Sequence, residues 1–316
     1  MIVTLTANPS IDETIALAGP LARGEVLRST DTHREPGGKG VNISRAAVAA
    51  GIATVAVLPV APEDAYVAEL ATAGVRCRPE RPSGPLRVNV TLTEPDGTTT
   101  KINSPGNRVT AADLERLAIA VTEEAAAAAW VVLAGSLPPG APAEWYAELV
   151  SALRATSARV AVDTHGDALV ALVHTGASPA LLKPNHEELA QITGADPATL
   201  SDPASAAAAA ADLVAAGVDE VLVTLGGAGA VLVTGDGAWH AAAPPIRVQS
   251  TVGAGDSSLF GHLLGHLQGL DAPSRLALAV SYGSAAAALP GTAIPHPHQV
   301  DPSLVSPRRL NPLQGA

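Results

Sequence analysis

The stretch QSTVGAGDSSLFGHLLG, Gln249 to Gly265, sets a carboxylate, Asp256, directly behind a Gly-Ala-Gly run and ahead of apolar residues at helical spacing. The first amides of a helix have no partners within it, and together with the helix dipole they form a site for an anion. Asp256 then has two readings. It is a capping residue, or it is a base that takes a proton while the amides of Gly253, Ala254 and Gly255 await a different anion. Nearby donors favour the charged carboxylate, so such a base is expected to be ionised at neutral pH.

Other segments bear on the choice. In PGGKGVN, Pro36 to Asn42, glycines ahead of a helix let the backbone approach a ligand, and Lys39 is a point charge suited to phosphate. Lys39, Lys101 and Lys183 are the only lysines among 19 basic residues, so arginine is the default cation of this chain. No Walker A pattern occurs. In LLKPNHEEL, Asn185 and Glu188 have the spacing of a capping box, and equally of two oxygen ligands for a hydrated Mg²⁺. In TLGGAGAVLV, Gly226 and Gly229 follow Thr224, but a strand and not a helix comes next, so this is no dinucleotide fingerprint. The glycines leave room for a flat base or a phosphate, or simply make a tight turn. Ser136 in AGSLPPG ends a strand but lacks the second glycine of a nucleophile elbow. His262 and His266 are spaced for zinc, yet HLLGH lacks a glutamate and no third ligand is evident. His165 has no assigned role.

These residues need a scaffold. Short apolar runs at Ile2–Thr6, Thr54–Pro59, Trp130–Leu133, Val160–Val162, Leu181–Leu182, Val221–Thr224 and Ala230–Val233 read as buried strands. Helical patterns lie around 40–50, 62–73, 111–128, 142–155, 185–193, 203–216, 255–269 and 273–288. Such alternation predicts an α/β fold with a mostly parallel sheet covered on both faces. Leu86–Asn103 alternates strictly around Asp96-Gly97, a hairpin signal, and residues 13–34 lack helical periodicity. The two insertions predict a small sheet standing off the body as a lid. The proline-rich tail from Pro290 reads as a loop with a short terminal element. No linker divides the chain, so residues 1–316 are expected to form one domain.

The 316 residues are 47% hydrophobic, 16% charged and only 2% aromatic, so a globular core must be packed from Ala, Val, Leu and Ile. A net charge of −11 argues against nucleic acid or an anionic membrane as partner. No apolar run is long enough to span a bilayer, MIVTLTANPS does not read as a signal peptide, and Cys77 is alone. A reducing, cytoplasmic location is expected.

In order along nearly the whole chain, TANPSID, PGGKGVN, RVNVTLTEPDG, AGSLPPG, VDTHG, KPNHEEL, TLGGAGAV and STVGAGDS resemble the PfkB, or ribokinase-like, family of sugar kinases. STVGAGDS is the most specific of these signatures. T-x-N-P-x-x-D and GGKG-x-N resemble the branch that phosphorylates sugar phosphates, whose members include 1-phosphofructokinase, tagatose-6-phosphate kinase and the minor 6-phosphofructokinase. The lysine in GGKG and the phrase RVNVTLTEPDG look most like the first. The resemblance implies a ribokinase-like fold and transfer from ATP to the C6 hydroxyl of fructose 1-phosphate. It makes Asp256 the base and the Gly253, Ala254 and Gly255 amides the cradle for the γ-phosphoryl group. Lys183, Asn185, Thr224, Gly226, Gly229 and Thr251 match ATP-contacting positions, and Asn185 with Glu188 match a motif that holds Mg²⁺ through water. Asp12, Gly38, Asn42 and Ser136 match sugar-contacting positions, while Lys39 and Arg87 would clamp the substrate's own phosphate. A homodimer joined through the lid is also implied. Phe260 departs from the pattern, which has small residues there. The alternatives are a kinase for fructose 6-phosphate or tagatose 6-phosphate, and a non-catalytic sensor of a nucleotide or sugar phosphate; an oxidoreductase fails for want of a fingerprint.

Overall fold

The computed structural model describes residues 1–310. β1 (Ile2–Thr6) leads into the antiparallel pair β2 (Ser10–Leu17) and β3 (Ser29–Gly37), then α1 (Lys39–Ala49), β4 (Thr54–Leu58), α2 (Ala65–Thr72) and β5 (Arg76–Pro79). A hairpin, β6 (Arg87–Thr93) and β7 (Thr99–Ile102), precedes α3 (Ala111–Ala125). Strand and helix then alternate through β8 (Trp130–Ala134), α4 (Trp145–Leu153), β9 (Arg159–Asp163), α5 (Asp167–His174), β10 (Leu181–Leu182) and α6 (His186–Thr193). The helices α7 (Pro197–Leu200) and α8 (Pro203–Ala215) precede β11 (Glu220–Thr224), which turns back through β12 (Ala230–Thr234) and β13 (Gly237–Ala241). α9 (Ala254–Leu267), α10 (Ala272–Ala287) and β14 (Arg308–Leu310) follow.

The main sheet has the order β14-β13-β12-β11-β10-β9-β8-β1-β4-β5. β11 through β5 run parallel, and β12, β13 and β14 add antiparallel pairs at one edge. Because successive strand side chains point to opposite faces, each apolar run feeds two cores. Val3, Leu5, Val131, Leu133, Leu182 and Val223 pack under α3, α4, α5, α6 and α8. Ile2, Trp130, Val132, Leu181 and Leu222 pack with Ile43 of α1 and with α9 and α10. Phe260 is fully buried between the last two helices, edge-on to Tyr282 at 5.2 Å. There it supplies bulk that small residues would not.

The two β-like insertions form one separate sheet, ordered β3-β2-β6-β7, with β2 parallel to β6. The fold class and the small separate sheet are as read from the sequence. β5, α5 and α7 were not anticipated, helix 62–73 is shorter, and the tail from Pro290 consists of 3₁₀ turns and β14. Pro312, in the last stretch of that tail, lies outside the described residues.

α9 is fixed near its C-terminal half by a buried ionic node. His262 Nε2 lies 2.8 Å from Glu220 Oε2, and Arg275 of α10 donates to Glu220 Oε1 at 2.9 Å. His262 and His266 therefore form no metal pair: the first faces Glu220 and the second lies edge-on to Trp130. Burial alone would raise the Glu220 carboxyl, but His262, Arg275 and Arg159 hold it down at about 2. Its folded pKa is thus below the ordinary 4.5, so its stabilisation is present above pH 4.5 and fades as pH falls towards 2. Glu220→Gln is expected to cost about 3 kcal/mol at neutral pH, because it leaves the largely buried Arg275 guanidinium without its counter-ion. Thermal melts of parent and variant should differ at pH 7 and converge on acidification through that window; a constant difference would contradict the assignment.

Candidate active site

A cavity of about 1080 Å³ opens at the carboxyl ends of β1, β8, β10 and β11, where open α/β sheets place ligands. Every site residue named from the sequence lines it: Asp12, Gly38, Lys39, Asn42, Arg87, Ser136, Lys183, Asn185, Glu188, Thr224, Gly226, Gly229, Thr251, Gly253, Ala254, Gly255 and Asp256.

Lys39, Lys183 and Asp256 line the cavity, and Asp163 pairs with the two lysines. Asp163, fully buried at the end of β9, receives Lys39 Nζ at 2.5 Å on one oxygen and Lys183 Nζ at 3.0 Å on the other. Burial disfavours the Asp163 carboxylate, yet the two ammonium groups overcome this and hold its pKa low. Burial likewise works against the Lys39 ammonium, and Asp163 with Asp256 more than reverses it, so Lys39 stays charged. The clamp expected of Lys39 and Arg87 therefore divides. Lys39 serves Asp163 and faces Asp256 and Glu188, whereas Arg87 faces Asp12 and Tyr66.

Asp256 does not cap its helix. Gly253 is the N-cap, in left-handed conformation at φ 75°, and no side chain bonds the first turn. Among the described residues the Gly253 and Gly255 amides have no backbone acceptor, and that of Ala254 reaches Thr251 O at 3.4 Å. Asp256 instead accepts from Asn42 Nδ2 at 2.8 Å, across the gap between α9 and α1. The carboxyl is 6% exposed, and its pKa is raised and not lowered. Desolvation is the main cause and the Asp163 charge adds to it, against Lys39, Asn42 and Lys183. The expectation of an easily ionised carboxylate is thus corrected: tertiary burial outweighs the helix start.

The two ends of the cavity differ. One is polar. Asp12 Oδ1 accepts from Ser10 Oγ at 2.8 Å and Asn89 Nδ2 at 3.1 Å, and Asn8 donates to Ser136 Oγ at 3.2 Å. The other is walled by Ala243, Pro244, Ile246, Val248, Val280 and Ala287, with Ile246 and Val248 open to solvent at 38% and 59%. Gly226 and Gly229 border this end, and a Cβ at Gly229 would overlap the Ala241 carbonyl. An apolar slot of this form suits the flat face of a base.

Asn185 and Glu188 form a true capping box: each side chain accepts from the other's backbone N–H at 2.8 Å. This occupies Asn185 Oδ1 and Glu188 Oε2. Among the described residues Glu188 Oε1 makes no protein hydrogen bond, and Glu188 and Lys183 both line the cavity. Mg²⁺ keeps several waters and needs only one or two carboxylates besides phosphate oxygens, so the donor set fits a hydrated ion.

Sequence reasoning assigned nothing to Asp163, Asn8, Asn89 or Asn103. Asp163 stands in VDTHG at a strand end, the one local signal it had. His165 and His186 line the rim.

The chain is similar over most of its length to known sugar-phosphate kinases. A 1-phosphofructokinase of Rhodobacter capsulatus is 37% identical over 95% of this chain and 94% of its own. One of Xanthomonas campestris pv. campestris is 36% identical over 88% and 89%. Among solved structures, phosphofructokinase-2 from Escherichia coli in complex with fructose-6-phosphate superposes with a TM-score of 0.83 at 30% identity, over 90% of this chain and 93% of that one. A possible 1-phosphofructokinase from Thermotoga maritima shares the fold, with a TM-score of 0.86 at 22% identity, over 98% and 100%. The pfkB family of carbohydrate kinases matches residues 5–299, and the chain belongs to that family.

Proposed function

We propose that the protein transfers the γ-phosphoryl group of ATP to the C6 hydroxyl of fructose 1-phosphate, giving fructose 1,6-bisphosphate. The observation that carries this reading is Asp256: a buried carboxyl, left out of capping, between an apolar slot and a polar pocket, beside the Gly253 and Gly255 amides, which have no backbone acceptor among the described residues. The base of ATP takes the slot between Ile246, Val248 and the glycines, and the sugar takes the end marked by Asp12, Asn89 and Ser136. Arg87 meets the substrate's phosphate.

Phosphoryl transfer needs positioning and charge stabilisation more than covalent chemistry. Asp256 accepts the hydroxyl proton as the sugar oxygen bonds to phosphorus and the bond to the departing ADP breaks in line. Asn42, through its amide, fixes one Asp256 oxygen and leaves the other for the hydroxyl. The Gly253 and Gly255 amides and the two lysines meet the charge that gathers on the transferred group; one such donor is worth about 2.7–4 kcal/mol in comparable sites. Glu188 and Asn185 would hold Mg²⁺ through water, and the ion would neutralise phosphate charge. Dependence on ATP suits a cytoplasmic location, and among the described residues no helix is long and apolar enough to cross a membrane.

Two copies pair through their lids. The lid sheet ends in the edge strands β3 and β7; Ile102 of β7 is 57% exposed, and Val26, in the connection between β2 and β3, is 92% exposed. Phosphofructokinase-2 from Escherichia coli has a tetrameric inhibited form, so assembly occurs on this scaffold. Light scattering should give a dimer mass, and Val26→Asp with Ile102→Asp should shift it to monomer; a monomeric parent would exclude the pairing.

ADP release measured across fructose 1-phosphate, fructose 6-phosphate, tagatose 6-phosphate and fructose tests the substrate. Fructose 1-phosphate should give the highest kcat/KM. Preference for fructose 6-phosphate would favour the second reading, a 6-phosphofructokinase, which the 30% identity to phosphofructokinase-2 supports. Asp256→Asn should lower kcat at least about a hundredfold, as loss of a general base does. Because burial raises the Asp256 pKa, its ionised form costs folding energy at neutral pH, and the variant should melt no lower than the parent. With the base required ionised, kcat/KM should fall as pH drops through the raised pKa. Near-normal turnover by the variant would remove Asp256 from the chemistry.

A further inference from the structure

Asn8 follows β1 and holds together three parts of the molecule. Its Nδ2 donates to Pro105 O at 3.1 Å and to Ser136 Oγ at 3.2 Å, and its backbone carbonyl accepts from Arg87 Nη2 at 2.9 Å. Ser136 follows the end of β8 in the main sheet, Arg87 begins the outgoing lid strand β6, and Pro105 lies on the segment returning from β7. Arg87 also ties the lid's two ends to each other, since its Nη1 donates to Ser104 O at 3.0 Å. The return segment is seated further by Ser104 N on Asn89 Oδ1 at 3.2 Å and by Ser104 Oγ on Val88 O at 2.7 Å. Asn8 is 7% exposed and lines the cavity.

Two details make this more than a structural bond. Gly106, at φ 95°, lies so close that a Cβ there would overlap Asn8 Oδ1, so the hinge backbone is fitted to this side chain. Arg87 spends both Nη groups on main-chain carbonyls while its buried Nε has no partner among the described residues. A phosphate dianion is a stronger acceptor than a carbonyl, and a charge-assisted pair is about twice as strong as a neutral hydrogen bond. An anion arriving at Arg87 therefore competes with Ser104 O and Asn8 O for the same guanidinium.

We infer that Asn8 is a positioning residue that couples occupancy of the sugar-phosphate pocket to the seating of the lid. When Arg87 turns to the substrate's phosphate, the return segment loses one of its ties, and Asn8 keeps it in register with Ser136 and the sheet. The lid then settles on a filled pocket and stays open over an empty one, which limits transfer of phosphate to water. This rests on the proposed placement of the sugar phosphate at Arg87.

The test compares the parent with Asn8→Ala, which removes the amide donor, and Gly106→Ala, which displaces the hinge and leaves Asn8 intact. Hydrogen exchange of residues 87–103 is followed with and without saturating fructose 1-phosphate, in the absence of nucleotide. Fructose 1-phosphate should slow exchange of the parent lid, and both variants should lose that slowing. Both should raise KM for the sugar phosphate by about tenfold or more while KM for ATP stays within about twofold, as misplacement confined to one subsite requires. Slowing that persists in the variants at saturation, or KM values that rise together, overturns the coupling. Should Asn8→Ala fail to fold, Gly106→Ala decides alone. A parent enzyme that turns over no sugar phosphate overturns the reading of the pocket itself, which is a separate result.

Discussion

The interaction on which the site depends is the pairing of one buried carboxylate, Asp163, with two lysines that come from different parts of the chain. A buried ion is tolerable only when paired and hydrogen-bonded. Asp163 is fully enclosed at the end of β9, Lys183 is 3% exposed beyond β10, and Lys39 reaches in from the start of α1. With Asp256 the four groups balance, two positive against two negative. Asp163 thereby fixes where both lysine ammonium groups sit. The Coulomb interactions here act at short range in a weakly screened interior, so small displacements carry large energies.

Rigidity and mobility are divided between the two sheets. The main sheet is buried on both faces and carries Asp163, Lys183 and Thr224 at strand ends, where position is set by ladder bonds. α9 carries the amides and Asp256 at one end, and at the other is pinned by Glu220, which also holds α10. The lid has no buried core of its own: β6 is only partly covered along its length, and β3 is exposed over most of it. Its position is set at its base, by Arg87, Asn8 and the bond from Tyr66 Oη to Gly37 O at 2.7 Å. An element with few apolar contacts opens at low cost.

Local chemistry was legible in the sequence and tertiary chemistry was not. Gly253 to Asp256 could be placed at a helix start because the turn and the apolar spacing that follow are short-range features. The lid strands were legible from alternation and the Asp96-Gly97 turn. β5 was missed because Arg76-Cys77-Arg78-Pro79 is charged and short, as an edge strand can be. α5 was missed because Ala168 to Val173 is a compact apolar run that reads equally as strand. Asp163 gained no role because one of its partners lies 124 residues away. The ionisation of Asp256 was judged from the helix start alone, whereas burial and Asp163, both products of folding, decide its direction.

That reversal bears on the chemistry. A carboxylate of ordinary acidity is a weak base towards an alcohol, and general-base catalysis improves as the acceptor's pKa climbs towards the working pH. Desolvation supplies the rise here, and the same desolvation would make an ionised Asp256 costly if nothing offset it. Lys39, Lys183 and the Asn42 amide are the offset: they keep the charged form within reach without returning the group to water. The Gly253 and Gly255 amides are left out of this arrangement, because neither bonds Asp256. Among the described residues they have no backbone acceptor, so they stay poised as donors. Preorganised donors of that kind accelerate a reaction because they need no reorientation when the charge appears, and a base that also drew on them would forfeit the gain.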